Sequence, residues 1–177
     1  YPLGHSLSPV IHTAALHAAG QAGEYRLYPV PPLPQGAGQL DGLLTRLRRG
    51  DLQGMNVTIP HKQSVLAHAD RLTPAARLIG AANTLYLQDE HLVGENTDWA
   101  GFWADLRPLF ESSTGDHARA GRPLALVLGA GGSARAVVYA LARAGWKVHV
   151  AARRSEQADS LANSLAEALG DPVPGIE

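Results

Sequence analysis

Two short segments near the start of the sequence carry side chains that could bind and transform a small hydroxylated acid. Ser6 and Ser8 stand two residues apart in an extended stretch, so their hydroxyls could point the same way and bind a carboxylate or a diol. The second segment ends a predicted strand at Thr58 and places Lys62 in the first turn of a helix predicted to begin at Pro60. A helix N-terminus carries partial positive charge and disfavours a cation, so a lysine at this position indicates that Lys62 has a functional role. Each segment can also be explained without a functional site: Ser8 would then be only a helix N-cap, and Lys62 only a solvated lysine.

Two further polar residues flank a predicted hairpin. Asn83 enters the hairpin and Asp98 follows it, at the start of an amphipathic helix. Asn83 could bond substrate hydroxyls, or only the backbone of its own turn. Asp98 could orient a catalytic cation, or only cap its helix.

A glycine-rich turn follows a short apolar strand and opens an alanine-rich helix. Gly129 permits the tight turn, Gly131 lets the backbone approach a pyrophosphate, and Ala134 keeps the helix close to the strand. The helix N-terminus offers N–H groups and a positive dipole end to phosphates. The alternative is a plain βα turn without a ligand. The candidate cofactor-binding residues of this turn are Gly129, Ala130, Gly131, Gly132, Ser133 and Ala134.

The end of the next predicted strand indicates which dinucleotide would bind. NAD-binding proteins usually carry an acidic residue there, for the ribose 2′-hydroxyl. This chain has Arg153 and Arg154 instead, and its first acid is Glu156. Two guanidinium groups suit a 2′-phosphate, so NADP is favoured over NAD. Two solvated arginines are the alternative.

The pattern of elements predicts an α/β fold, with an N-terminal α/β substrate domain and a partial Rossmann-type, doubly wound dinucleotide-binding domain. The domains are predicted to span residues 1–100 and 101–177, joined by a helix over 98–110. The run LALVLG from residue 124 is typical of a parallel strand buried on both faces. Helices are predicted over 9–19, 39–49, 60–68, 73–79, 133–144 and 155–169, strands over 24–30, 52–57 and 147–151, and a hairpin over 82–94 turning at Asp89 and Glu90.

Composition excludes several classes of function. The net charge of −1 gives no basic field for nucleic acid, and no run approaches ~18 consecutive apolar residues, so we expect no membrane span. The absence of cysteine removes disulfides and thiol catalysis and fits a reducing cytoplasm. The eight histidines are scattered without an HExxH motif, so we expect no metal site.

Taken in order, these segments resemble the shikimate dehydrogenase family. Its N-terminal serine signature matches residues 2–9, its N-V-T-x-P-x-K motif residues 56–62, its G-A-x-N-T motif residues 80–84, its N-T-D motif residues 96–98 and its G-A-G-G turn residues 129–132. The resemblance implies an NADP-dependent, reversible reduction of 3-dehydroshikimate to shikimate, within the pathway to chorismate and the aromatic amino acids. It also implies a small-molecule substrate, and a homodimer is the assembly to test.

The resemblance assigns roles to particular residues. It implies that Lys62 and Asp98 are the catalytic pair, with Lys62 acting as electrophile and proton donor. The family usually has Asn-Arg-Thr at the clamp for the NADP phosphate, where this chain has Ala152, Arg153 and Arg154. The implied substrate-binding residues are Ser6, Ser8, Thr58, Lys62, Asn83 and Asp98.

The family also carries a strand before the first motif and a C-terminal half of the nucleotide domain, so this sequence is expected to be part of the enzyme. Three alternatives stay open. They are a quinate/shikimate dehydrogenase that uses NAD, a non-catalytic shikimate-binding relative or fragment, and another two-domain dehydrogenase such as a methylene-folate enzyme.

Overall fold

The computed structural model describes residues 2–113 and 122–169. The chain forms two compact units, Tyr1–Thr45 and Arg46–Glu177. The predicted division into domains over residues 1–100 and 101–177 stays a prediction.

The first unit contains helix α1 (Ser8–Ala18) and the start of helix α2 (Ala37–Arg48). Pro9 lies in the first turn of α1, where its missing N–H costs nothing. The prediction that Ser8 caps α1 is wrong, because Leu7 is the N-cap residue and Ser8 is already helical. The backbone N–H of Ser8 instead donates to the hydroxyl of Ser6 at 3.3 Å.

The predicted strand over residues 24–30 does not form, since no helix or strand is assigned between residues 21 and 31. Pro29 lies inside the predicted strand, and Pro31 and Pro32 directly follow it. Proline has no N–H to donate to a neighbouring strand, which disfavours strand pairing here. Tyr25 stacks on His12 of α1 with ring centroids 4.3 Å apart.

A four-stranded sheet lies in the second unit, with strand order β1-β3-β4-β2. The strands are β1 (Gly54–Asn56), β2 (Arg71–Leu72), β3 (Thr84–Gln88) and β4 (His91–Glu95). β3 is antiparallel to β1 and β4, and β2 is parallel to β4. The predicted hairpin is confirmed: Asp89 and Glu90 have φ of 49° and 62°, as a two-residue type I′ turn requires.

The prediction that a helix begins at Pro60 is wrong. Residues 59–63 form turns, and a 3₁₀ helix begins only at Ser64 and runs to His68. The carbonyl of Lys62 accepts the backbone N–H of Ala82 at 2.7 Å, so this long-range bond takes an acceptor that helix formation would need. Lys62 therefore lies in a turn and not at the N-terminus of a helix.

The remaining helices agree with the sequence. α3 (Pro74–Ile79) begins after Thr73, whose hydroxyl accepts the N–H of Ala76 at 3.2 Å. α4 (Asp98–Ser113) packs on α5 (Gly132–Arg143), where Trp99 meets the Tyr139 ring edge-on at 5.4 Å. α6 (Ser155–Leu169) completes the series.

The predicted β-α-β-α run is confirmed as a partial Rossmann-like unit. β5 (Leu124–Leu128) and β6 (Lys147–Ala151) are parallel, with Leu124 opposite Lys147 and Leu128 opposite Ala151. A buried hydrophobic cluster of the second unit draws on α3, α5, β6 and α6. Its members are Ile79, Ala81, Ala136, Val138, Tyr139, Leu141, Val148, Val150, Ala158, Leu161 and Leu165.

The prediction that β5 is buried on both faces is wrong. Leu124, Leu126 and Leu128 are 61%, 65% and 77% exposed, whereas Ala125 and Val127 pack against the core. Side chains alternate across a strand, and within the described part of the chain the core covers only one face of β5. Among the described residues, no helix is long and apolar enough to span a bilayer.

Candidate active site

An ion pair joins the two residues that the sequence singles out for proton transfer. Nζ of Lys62, in the turn after β1, lies 2.7 Å from Oδ2 of Asp98, the first residue of α4. The Lys62 side chain is 11% exposed and that of Asp98 is 30% exposed. The pair is therefore shielded on the lysine side and open to solvent on the carboxylate side, where a small molecule could reach it.

Asn83 fixes the other oxygen of the Asp98 carboxylate. Its Nδ2 donates to Oδ1 of Asp98 at 2.8 Å and to Oγ1 of Thr97 at 2.9 Å. Its own Oδ1 accepts the backbone N–H of Thr97 at 2.9 Å. Both oxygens of Asp98 are thus engaged, one by a cation and one by an amide, which holds the carboxylate in one orientation.

Asn96 holds the backbone of Asp98, and its role was not predicted from the sequence. Its side chain is buried, with 1% of the residue exposed. Its Nδ2 donates to the Ala81 carbonyl at 2.9 Å, and its Oδ1 accepts the backbone N–H of Asp98 at 3.1 Å. The only sign of this role in the sequence was the position of Asn96, directly before Thr97 and Asp98 at a predicted helix start.

Backbone hydrogen bonds connect the segments that carry Lys62, Asn83 and Asp98 to the sheet. The N–H of Val57 donates to the Asn83 carbonyl at 2.7 Å, and the N–H of Asn83 donates to the Glu95 carbonyl at 2.9 Å. The Lys62 carbonyl accepts from Ala82, as described above. Residues that lie far apart in the sequence are therefore held in one place at the ends of β1, β3 and β4.

The glycine-rich turn lies directly against Lys62. Gly129 has a φ of +115°, a conformation that side-chain-bearing residues rarely adopt, and its N–H donates to the Ala151 carbonyl at 2.7 Å. A Cβ on Gly132 would lie 2.8 Å from Cβ of Lys62, so only glycine allows this approach. The hydroxyl of Ser133 lies 3.1 Å from the Lys62 amine.

Arg135 braces this turn and was not predicted from the sequence. Its Nε donates to the Ile79 carbonyl at 2.6 Å, and its guanidinium also donates to Oγ of Ser164 at 3.0 Å. Burial lowers the pKa of the Arg135 guanidinium, which nevertheless stays charged at neutral pH. The carbonyl of Ile79 lies at the C-terminus of α3, where the helix dipole favours a cation.

The other predicted residues occupy the following positions. Arg153 and Arg154 are exposed and follow β6, whose last residue, Ala151, is bonded to the glycine-rich turn. Thr58 is exposed in the turn before Lys62, and its carbonyl accepts the N–H of His61 at 2.9 Å. Ser6 and Ser8 lie in the first unit, at the start of α1.

The structure thus brings together the side chains of Lys62, Asn83 and Asp98 with the glycine-rich turn. The roles assigned to these residues and to the remaining candidates stay predictions. Among residues 2–113 and 122–169, no group of three His, Asp or Glu side chains is placed to hold a metal ion.

Comparison with known proteins identifies the family. Residues 1–85 match the family model for the shikimate dehydrogenase substrate binding domain. A shikimate dehydrogenase (NADP(+)) of Moorella thermoacetica is 43% identical over 177 residues, which cover 99% of this chain and 56% of that protein. The chain spans about half the length of the curated relatives it matches.

Solved structures give the same result for the fold. A shikimate 5-dehydrogenase of Thermus thermophilus, in complex with NADP(H) and shikimate, matches with a TM-score of 0.74 and 40% identity, covering 97% of this chain and 59% of that one. A quinate dehydrogenase of Corynebacterium glutamicum, in complex with NAD, matches with a TM-score of 0.81 and 31% identity, with coverage of 97% and 59%. The predicted resemblance is confirmed: this chain is similar to shikimate dehydrogenases over nearly its whole length, and its residues 1–85 match the substrate binding domain of that family.

Proposed function

We propose that the protein catalyses the reversible, NADPH-dependent reduction of 3-dehydroshikimate to shikimate, a step of chorismate and aromatic amino acid biosynthesis. The observation that carries this proposal is the Lys62–Asp98 ion pair at 2.7 Å, packed against a glycine-rich turn of the kind that binds dinucleotide phosphates. The family relatives named above support it, as proteins of the same activity class.

Lys62 supplies the charge and the proton in this proposal. When a carbonyl is reduced, negative charge develops on its oxygen, and an ammonium group within hydrogen-bonding distance stabilises that charge and donates a proton. The low exposure of Lys62 strengthens the interaction, because less water competes for the oxygen. In the opposite direction the lysine must first lose its proton, and Asp98 or a water beside it is the acceptor.

Asp98 and Asn83 orient the substrate and the lysine. Asp98 holds the Lys62 amine through one oxygen and presents the other, shared with Asn83, to a ring hydroxyl. We assign Ser6, Ser8 and Thr58 to the substrate carboxylate, because hydroxyls can donate to it without adding charge. The division of the chain into a substrate domain and a nucleotide domain near residue 100 belongs to the same proposal.

The residues present fit a dinucleotide. Gly129 adopts its positive φ, a Cβ on Gly131 would meet nothing within 4 Å, and the twelve-residue helix α5 begins directly after them. The side of the turn at Gly131 is therefore open to a phosphate, which the residues 129–134 would hold. Arg153 and Arg154 would hold a 2′-phosphate. The nicotinamide group, when bound, supplies or accepts the hydride.

A quinate/shikimate dehydrogenase that uses NAD is the second candidate, and the quinate dehydrogenase match favours it. The exposed pair of arginines after β6 supports NADP instead, because a phosphate offers an arginine a bidentate bond to a negative charge that a neutral ribose hydroxyl cannot offer.

Purified full-length protein tests the proposal directly. NADP reduction is followed at 340 nm with shikimate, with quinate and without substrate, and each assay is repeated with NAD. We expect turnover with shikimate and NADP that exceeds every other combination. Shikimate binding without NADP reduction would refute catalysis and favour a non-catalytic relative, and faster turnover of quinate with NAD would favour the second candidate.

A further inference from the structure

The hydroxyl of Ser133 contacts the Lys62 amine from the dinucleotide side of the site. Ser133 is the second residue of α5, and its Oγ lies 3.1 Å from Nζ of Lys62. An ammonium group has only donors, so Lys62 donates and the serine oxygen accepts. The same amine donates to Asp98 at 2.7 Å, so two of its three protons have defined partners.

We propose that Ser133 is a positioning residue that holds the Lys62 amine in its catalytic orientation, an inference that rests on the proposed function. A lysine side chain has four rotatable bonds. With Asp98 as its single partner, the Lys62 amine could still move about that one hydrogen bond. The second contact comes from another direction and from another element, because Asp98 begins α4 whereas Ser133 belongs to α5.

The backbone around Ser133 fixes the position of its hydroxyl relative to Lys62. Gly132 brings the start of α5 close to the Lys62 stem, since a Cβ there would lie 2.8 Å from Cβ and 3.1 Å from Cδ of Lys62. Arg135, one turn further along, fixes the same end of α5 to the Ile79 carbonyl at 2.6 Å. The hydroxyl is therefore carried on a braced element and not on a loop.

The direction of the bond leaves the serine proton available. Because the oxygen accepts from Lys62, the O–H of Ser133 can donate to an anion at the N-terminus of α5. One hydroxyl would then link the proposed phosphate-binding turn to the lysine, so that the turn and the proton donor are aligned together.

The chain offers a built-in reference for a test on the dinucleotide-free protein. Its only two lysines are Lys62 and Lys147, and Lys147 is exposed in β6. An amine-reactive acetylating reagent is applied to the full-length protein, and the peptides that contain Lys62 and Lys147 are quantified by mass spectrometry. The ratio of Lys62 to Lys147 labelling reports how often the Lys62 amine leaves its partners.

We expect Ser133→Ala to raise this ratio about fivefold, the effect of losing one hydrogen bond of ordinary strength. Ser133→Thr keeps the hydroxyl and should restore the ratio to within about twofold of wild type. Ser160→Ala, at an exposed position of α6, is the matched control and should leave the ratio unchanged. An unchanged ratio in Ser133→Ala would overturn the inference.

Kinetics separate a positioning role from a structural one. In Ser133→Ala we expect kcat with shikimate to fall about fivefold while KM for shikimate stays within about twofold, with recovery in Ser133→Thr. A fall in kcat that Ser133→Thr does not restore would also overturn the inference. A rise in labelling supports it even if wild-type protein proves inactive towards shikimate, a result that would refute only the proposed function.

Discussion

The buried amide of Asn96 provides a demanding test of how the site is built. Asn96 is 1% exposed. Its side chain donates a hydrogen bond to the Ala81 carbonyl and accepts one from the backbone N–H of Asp98. The change Asn96→Ala removes both bonds at once. Ala81 is fully buried, so water cannot readily replace the lost donor at its carbonyl.

The cost follows from the groups left unpaired. A buried polar group without its partner costs about 1–3 kcal/mol, and Asp98, whose side chain is 30% exposed, is less buried than Ala81. We therefore expect Asn96→Ala to lower the free energy of unfolding by about 3 kcal/mol. For a chain of this size that corresponds to a fall in Tm of roughly 6–12 °C.

Thermal unfolding followed by circular dichroism measures this change. Asn163→Ala, at an exposed position of α6, is the matched control, and its Tm should stay within about 2 °C of wild type because alanine suits a helix at least as well. The account of Asn96 would be refuted if Asn96→Ala unfolded within about 1 °C of wild type.

Three further predictions concern other parts of the second unit. The bidentate bond from Arg48, and then the Leu92 N–H, lower the pKa of the Asp70 carboxyl, so its charged form stabilises the fold. That stabilisation is present above the unfolded carboxyl pKa of ~3.9 and is lost as the pH falls towards the lower pKa of the folded state. Melts of Asp70→Asn should therefore show a lower Tm than wild type at pH 7 and a smaller difference at pH 3, with Asp105→Asn as the control; a difference that grows in acid would contradict this. Gly132→Ala should lower kcat/KM for shikimate about tenfold or more, because its Cβ would meet Cβ of Lys62 at 2.8 Å, whereas Gly101→Ala, with nothing within 4 Å, should leave it unchanged; equal values for both variants would refute the close approach. Replacing Arg153 and Arg154 by alanine should raise KM for NADP about tenfold or more with little effect on KM for NAD, and equal rises for the two cofactors would contradict the assignment.

Local signals predicted most of the elements, because helices and turns depend largely on nearby residues. Gly80, with its φ of +69°, ends α3, and the Asp89–Glu90 turn closes the hairpin as the sequence indicates. The strand at 24–30 failed because alternation does not reveal whether backbone N–H groups are available. The burial of β5 failed because the residues that cover each face are not encoded in the strand itself.

The site was predictable in its residue types and less so in its geometry. Lys62 was singled out for an electrostatic misfit at a helix N-terminus that does not exist, since the bond from Ala82 to its carbonyl replaces the helix there. The structure nevertheless pairs Lys62 with Asp98. Asn96 and Arg135 escaped notice because both bind backbone carbonyls of distant residues, Ala81 and Ile79. Such contacts depend on the fold, and the spacing of polar residues gives no sign of them.

We propose that the Lys62 amine, held by Asp98, stabilises and protonates the developing alkoxide. The most direct test of this proposal is the steady-state kinetics of Lys62→Ala in the full-length protein, with NADP and shikimate. We expect kcat to fall by about 100-fold or more while KM for shikimate changes little, the pattern of a group that acts mainly in the transition state. A variant that keeps a nearly normal kcat, with folding confirmed by its Tm, would contradict the account.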